Sequence, residues 1–117
     1  MATMCTLLQI LDQKSNEQTK RDSKFVSIKF PLGKIVATRD ALSAIQHDEA
    51  IIMQLLLRHQ SGDWGIVHDE DRLANDKAVL TGARIISSYH LQPSDQLLWV
   101  ITEADRCTTT LILPDEY

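Results

Sequence analysis

The run from Trp99 to Tyr117 constrains this chain more than any other stretch. Trp99-Val-Ile-Thr and Cys107-Thr-Thr-Thr-Leu-Ile-Leu113 are apolar, β-branched segments flanking one compact charged turn, Glu103-Ala-Asp-Arg106. Two such segments closing on a short turn form a β-hairpin. Its only strongly charged part is the tip. A hairpin needs further strands and a covering layer to be stable, so it fixes an architecture and suggests a display surface. It names no reaction.

Upstream, the period-2 pattern continues. Ala83–His90 and Gln96–Thr102 read as strands joined by a Pro93-Ser-Asp turn, which with Cys107–Leu113 makes a three-stranded antiparallel meander. Before Ala83 the period becomes helical. Thr38 is a candidate N-cap with Asp40 in the first turn, and the helix runs through Leu42 and Ile45. Asp48 caps a second helix, Glu49–His59, on which Ile52, Leu55, Leu56 and His59 share one face; the junction at His47-Asp-Glu49 is open to one helix or two. A third helix starts at Asp69 or Asp71 and stops at Gly82, with Leu73, Ala74, Ala78 and Leu80 as its apolar face. Phe25–Phe30 and Lys34–Ala37 read as short strands. The expectation is an α+β two-layer domain: an antiparallel sheet, made of the meander plus an N-terminal strand, covered on one face by two or three helices.

At 117 residues and 44% hydrophobic, the chain supports one core. Residues 30–117 form the single domain. Residues 1–29 are an extension, partly flexible, whose polar tract Asp12–Lys24 reads as a tether. No apolar run is long enough to cross a bilayer, Met1–Ile10 lacks signal-peptide features, and Cys5 and Cys107 form neither a zinc pattern nor a disulfide framework. A cytoplasmic protein with reduced thiols is expected.

Charge is unevenly spread. Residues 1–40 carry seven basic against four acidic side chains, leaving +3; residues 41–117 carry five against twelve, leaving −7. A body this acidic repels phosphate backbones and argues against direct nucleic-acid binding.

Catalytic patterns are missing. The four glycines are scattered, so there is no phosphate loop, no nucleophile elbow is present, and no cofactor is implied. Among His59, His68 and His90 with Asp63, Asp69, Glu70 and Asp71, His59 and Asp63 have helical ligand spacing but Gly62 breaks the helix between them, and the 69–71 run, which does not match a calcium loop, reads as the negative first turn of a helix. Gly62-Asp-Trp-Gly65 reads as Trp64 anchoring the core while Asp63 satisfies loop amides, with a recognition surface as the second reading. At the hairpin tip, Asp105 closes the turn and Arg106 pairs with Glu103 or Asp69; alternatively the exposed tip seats on a partner. Asp63, Trp64, Glu103, Asp105 and Arg106 are therefore the candidate protein-recognition surface.

Several segments together resemble a known family: Phe30-Pro-Leu-Gly-Lys-Ile-Val-Ala-Thr38, Leu55-Leu-x-Arg-His59, Ser61-Gly-Asp-Trp-Gly65, Trp99-Val-Ile-Thr-Glu-Ala-Asp-Arg106, Thr109-Thr and Leu113-Pro-x-Glu-Tyr117. The resemblance is to small bacterial proteins of plasmids and integrative elements, labelled "plasmid-related". It implies a bacterial cytoplasmic protein of mobile-element origin and no activity. This chain departs from that family at Arg39-Asp40 and at Asp48–Ile52.

Two functional readings follow. One is a non-enzymatic accessory protein that binds another protein. The other is an enzyme with a RelE/ParE toxin-type ribonuclease layout or another small hydrolase, for which Arg84, Tyr89, His90 and Arg106 are the candidates and a basic cleft around Arg84 and His90 the discriminating feature. A homodimer is also expected. Leu98 and Val100 face one way and Leu97, Trp99 and Ile101 the other, so the second apolar face needs the N-terminal segment or another copy to cover it.

Overall fold

The N-caps read from sequence set the helical layer. Thr38 Oγ1 accepts from Ala41 N at 3.0 Å and opens α1, Arg39–Ala44. Asp48 Oδ1 accepts from Ala50 N at 2.9 Å and opens α2, Glu49–Gln60. The helices are two because Gln46 and His47 both take left-handed backbone conformations, φ 59° and 54°. Gln46 N donates to Ser43 O and His47 N to Leu42 O, the paired bonds of a Schellman C-cap built without glycine. The third helix, α3, spans Asp69–Thr81 and ends at Gly82, φ 82°.

This computed structural model describes residues 4–6 and 27–117. The tether expected at 12–24 and the apolar run 7–11 lie outside the described residues. The strands are β1 Met4–Thr6, β2 Lys34–Thr38, β3 Ile85–Leu91, β4 Gln96–Thr102 and β5 Thr108–Ile112, followed by a 3-10 turn over Pro114–Glu116. They form one sheet in the order β1-β2-β5-β4-β3.

The expected α+β domain and its meander are present: β3 pairs with β4 and β4 with β5, both antiparallel. The sheet as a whole is mixed, because β2 runs parallel to β5, with Ile35 opposite Thr109. Turn length dictates the direction of neighbours in a meander. The direction of β2 depends instead on the long helical crossover that follows it, which no local signal encodes. A second difference lies at Phe25–Phe30. Its described part, 27–30, is not a strand: Lys29 N donates to Gln60 O at 2.9 Å and Gln60 Nε2 to Phe30 O at 3.0 Å, so its backbone bonds go to the end of α2.

One sheet face meets the helices. Ile35, Ala37, Leu98, Val100 and Leu111 pack there against Leu42, Ile45, Ile52, Leu55 and Leu56. A second cluster gathers Phe30, Trp64, Ala78 and Ile85. On the opposite face Leu97, Trp99 and Ile112 are half-buried and Ile101 is buried. The Tyr117 ring lies edge-on to Trp99 at 5.4 Å, and Arg84 Nη1 donates to the Tyr117 hydroxyl. The chain's own C-terminal turn thus covers part of the face for which the N-terminal segment or a second copy is expected.

The free edge of β3 is also closed. Gly65 bridges Ser88, with Ser88 N donating to Trp64 O and Ile66 N to Ser88 O. Gly65 (φ 74°) cannot carry a side chain, because a Cβ would meet Ser88 O and the Tyr89 ring. Further along, the Asn75 side chain acts as a strand surrogate: Nδ2 donates to Ile86 O at 2.8 Å and Oδ1 accepts from Ile86 N at 3.3 Å. Edge strands covered in this way are poor templates for aggregation.

Candidate functional site

The face of α2 that carries Ile52, Leu55 and Leu56 also carries His59, and all four are buried as expected. His59 sits at 0% exposure between two hydroxyls from β3 and β4, at one end of a chain that a third hydroxyl, on β5, extends. Thr109 Oγ1 donates to Leu32 O at 2.7 Å, so it accepts from Thr102 Oγ1, also at 2.7 Å. Thr102 Oγ1 in turn accepts from His59 Nε2 at 2.9 Å, and Nδ1 accepts from Ser87 Oγ at 2.6 Å. Donor counting therefore assigns the neutral Nε2–H tautomer. Burial, with the Arg106 charge adding to it, pushes the His59 pKa down to about 3.

A serine hydroxyl donating to an imidazole is the contact of an activated nucleophile. Here Ser87, His59, Thr102 and Thr109 are all at 0% exposure, so no substrate reaches them. The chain of bonds is structural. It satisfies a polar core and fixes helix against sheet. Thr109 is the link to Leu32.

The Gly62–Gly65 loop buries Trp64, as its core reading expects, and leaves Asp63 exposed. Trp64 is 1% exposed, stacks with Phe30 at 6.1 Å and donates from Nε1 to Asp76 Oδ1 at 2.9 Å. As a recognition residue Trp64 is corrected: an indole in the core with its N–H satisfied has nothing to offer a partner. Asp63 Oδ1 accepts from Gly65 N at 3.2 Å, and Oδ2 from Arg58 Nε at 2.7 Å. That hydrogen bond raises the Arg58 pKa and lowers that of Asp63. The Arg58 guanidinium also lies over the Tyr89 ring, 4.5 Å from its centroid.

The hairpin tip is bolted down. Arg106 pairs with neither carboxylate named for it. Its Nη2 donates to Ala78 O at 2.9 Å and its Nη1 to Ala83 O at 2.7 Å and Glu103 O at 3.0 Å. Arg106 therefore caps the carbonyl end of α3, where a cation is favoured. Glu103 accepts from Arg84 Nε and Nη2 at 3.1 and 3.0 Å. Asp105 closes the turn as expected, accepting from Cys107 N at 2.9 Å. Of the tip residues, Ala104 and Asp105 remain exposed, beside the end of α3.

The third helix is rotated from the face its sequence suggests: of Leu73, Ala74, Ala78 and Leu80, only Ala78 is buried. Its buried residues are Asn75 and Ala78, whereas Leu73 is 68% exposed and Leu80 87% exposed. The demand of the β3 edge for a donor and an acceptor turns Asn75 inward and so turns both leucines outward. The ribonuclease candidates do not converge. Tyr89 is 1% exposed with its hydroxyl donating to Asp63 O, and Arg84 and His90 stand at opposite ends of β3.

A cleft of about 260 Å³ opens between the α1–α2 junction, α2 and the end of β3. Ile45, Leu55 and Leu91 form its apolar base, and Arg58, Gln46, Gln54, Gln92 and His90 its polar rim. His90 Nδ1 lies 2.9 Å from Asp95 Oδ1. Sequence reading missed this site, apart from naming His90 and Asp63 in other roles. Its one sequence trace is the one-turn spacing of Gln54 and Arg58. Among the described residues no three His, Cys, Asp or Glu side chains group as metal ligands, and no helix is long and apolar enough to cross a membrane. In comparisons with protein-family models, curated proteins and solved structures, nothing matches this chain.

Proposed function

We propose that this is a non-enzymatic accessory protein of a bacterial mobile genetic element, acting in the cytoplasm by binding another protein through the exposed face of α3. The observation that carries the reading is the outward stance of Leu73 and Leu80. Seven residues apart, they share a helix face and lie about 10 Å from each other along its axis. Two large leucines so exposed on one face are what a helix docking surface looks like.

The surrounding charge selects the partner. Asp69, Glu70, Asp71 and Asp76 outnumber Arg72 and Lys77 on the helix, and Asp105 of the hairpin tip adds to them. A segment with apolar side chains in a basic setting complements this face. A second copy of the same acidic face does not, so the reading favours a different protein over a homodimer at this surface.

The test is affinity capture from bacterial lysate with the wild type and with a Leu73→Ser/Leu80→Ser variant, read by mass spectrometry across a salt series. The expected result is a basic protein held by the wild type, lost from the variant and weakened by salt. Equal capture by both proteins, or capture by neither, overturns the reading.

A further inference from the structure

The cleft at the α1–α2 junction is chemically unlike the face of α3 and calls for a different ligand. We infer that it binds an N-acylated amino acid: a free carboxylate beside an apolar side chain, with an adjoining amide. Such a group occurs as a small molecule and as the C-terminus of a polypeptide.

Arg58 supplies the cation. Its Nε is held by Asp63 at 2.7 Å and its plane rests on Tyr89, so the guanidinium is fixed before any ligand arrives. Among the described residues, no acceptor engages its two terminal nitrogens. That remaining edge suits a carboxylate bound through two parallel bonds. A phosphate fits poorly, since its second charge would find no second lysine or arginine on the rim and would face Asp63 and Asp95 nearby.

The side-chain amides of Gln46, Gln54 and Gln92 have no hydrogen-bond partner among the described residues. Each offers a donor and an acceptor together, the complement of a peptide amide. The base of Ile45, Leu55 and Leu91 takes the apolar side chain. At about 260 Å³ the space falls below the roughly 300–1,000 Å³ of drug-sized pockets and matches one acylated residue.

The test is titration of the ¹⁵N-labelled 117-residue chain with N-acetyl-leucine, N-acetyl-leucine amide, and a hexapeptide ending in leucine with a free or an amidated terminus. The expected result is that the acids shift the side-chain resonances of Arg58, Gln46, Gln54 and Gln92, with affinity at least tenfold above their amides. Arg58→Met should abolish that preference. Should Arg58→Met fail to fold, the acid-against-amide comparison on the wild type still decides. Tenfold tighter binding of the peptide acid than of N-acetyl-leucine identifies a chain terminus as the source; similar binding identifies the small acid. Equal response to acid and amide, shifts confined to other surfaces, or no response overturns the inference.

Discussion

Replacing His59 with glutamine isolates the energetic consequence of a neutral imidazole in the core. The folded ring has a pKa of about 3, against about 6.5 when exposed in the unfolded chain. Between those values the unfolded state binds a proton that the folded state refuses. Stability from this group is therefore complete above about pH 6.5 and is lost as pH falls towards 3, at up to about 1.4 kcal/mol per pH unit. From pH 6 to pH 4 the expected loss is about 2.5 kcal/mol. Urea unfolding of the wild type and of His59→Gln at both pH values gives the comparison. Carboxylates such as Asp63 titrate alike in both proteins, so the wild type should lose about 2.5 kcal/mol more than the variant. The same ring should show no chemical-shift titration from pH 8 to pH 4. Parallel pH dependence in the two proteins, or a ring titrating near pH 6, would refute the buried-tautomer account.

Asn75→Leu removes the donor and the acceptor that serve Ile86, and it should cost about 1–3 kcal/mol by urea unfolding; a change below about 0.5 kcal/mol would mean the β3 edge does not need it. Arg106→Met strips three carbonyl contacts, to Ala78 O in the last turns of α3, to Ala83 O just beyond it and to Glu103 O in the hairpin tip, and should destabilise by about 2 kcal/mol, with faster amide exchange at the last turn of that helix. Unchanged exchange there would return Arg106 to the role of a free recognition residue. Leu73→Ser/Leu80→Ser should leave unfolding within about 0.5 kcal/mol of wild type, since neither side chain is buried. A large loss would place the leucines in the core.

The local features were legible because their causes are local. Thr38 and Asp48 cap helices through amides two or three residues away, Gly82 ends one through its own backbone, and short turns force the meander. His59 was legible as one of four residues on an apolar stripe. Its partners were not, since Ser87 and Thr102, with Thr109 behind Thr102, line up on it only once the register of three strands is set. The third helix was misread for a similar reason. On a helical wheel Leu73 and Leu80 outrank Asn75 as core, and only the unpaired edge of β3 reverses that order, leaving Ala78 as the one expected core residue that is buried. Of the five residues named for recognition, Trp64 went to the core and Arg106 to a helix end. Asp63 proved to position Arg58 at a cleft whose amides come from three separate segments. No spacing in the chain brings Gln46, Gln54 and Gln92 together.

The most direct test of the docking account is site-specific photo-crosslinking in bacterial cells, with a benzophenone side chain at Leu80 and, as control, at exposed Asp40. A discrete crosslinked product with a basic protein from position 80, and none from position 40, is the predicted result. Products from position 40 alone, or from neither position, would contradict the claim that the outer face of α3 is where this protein meets its partner.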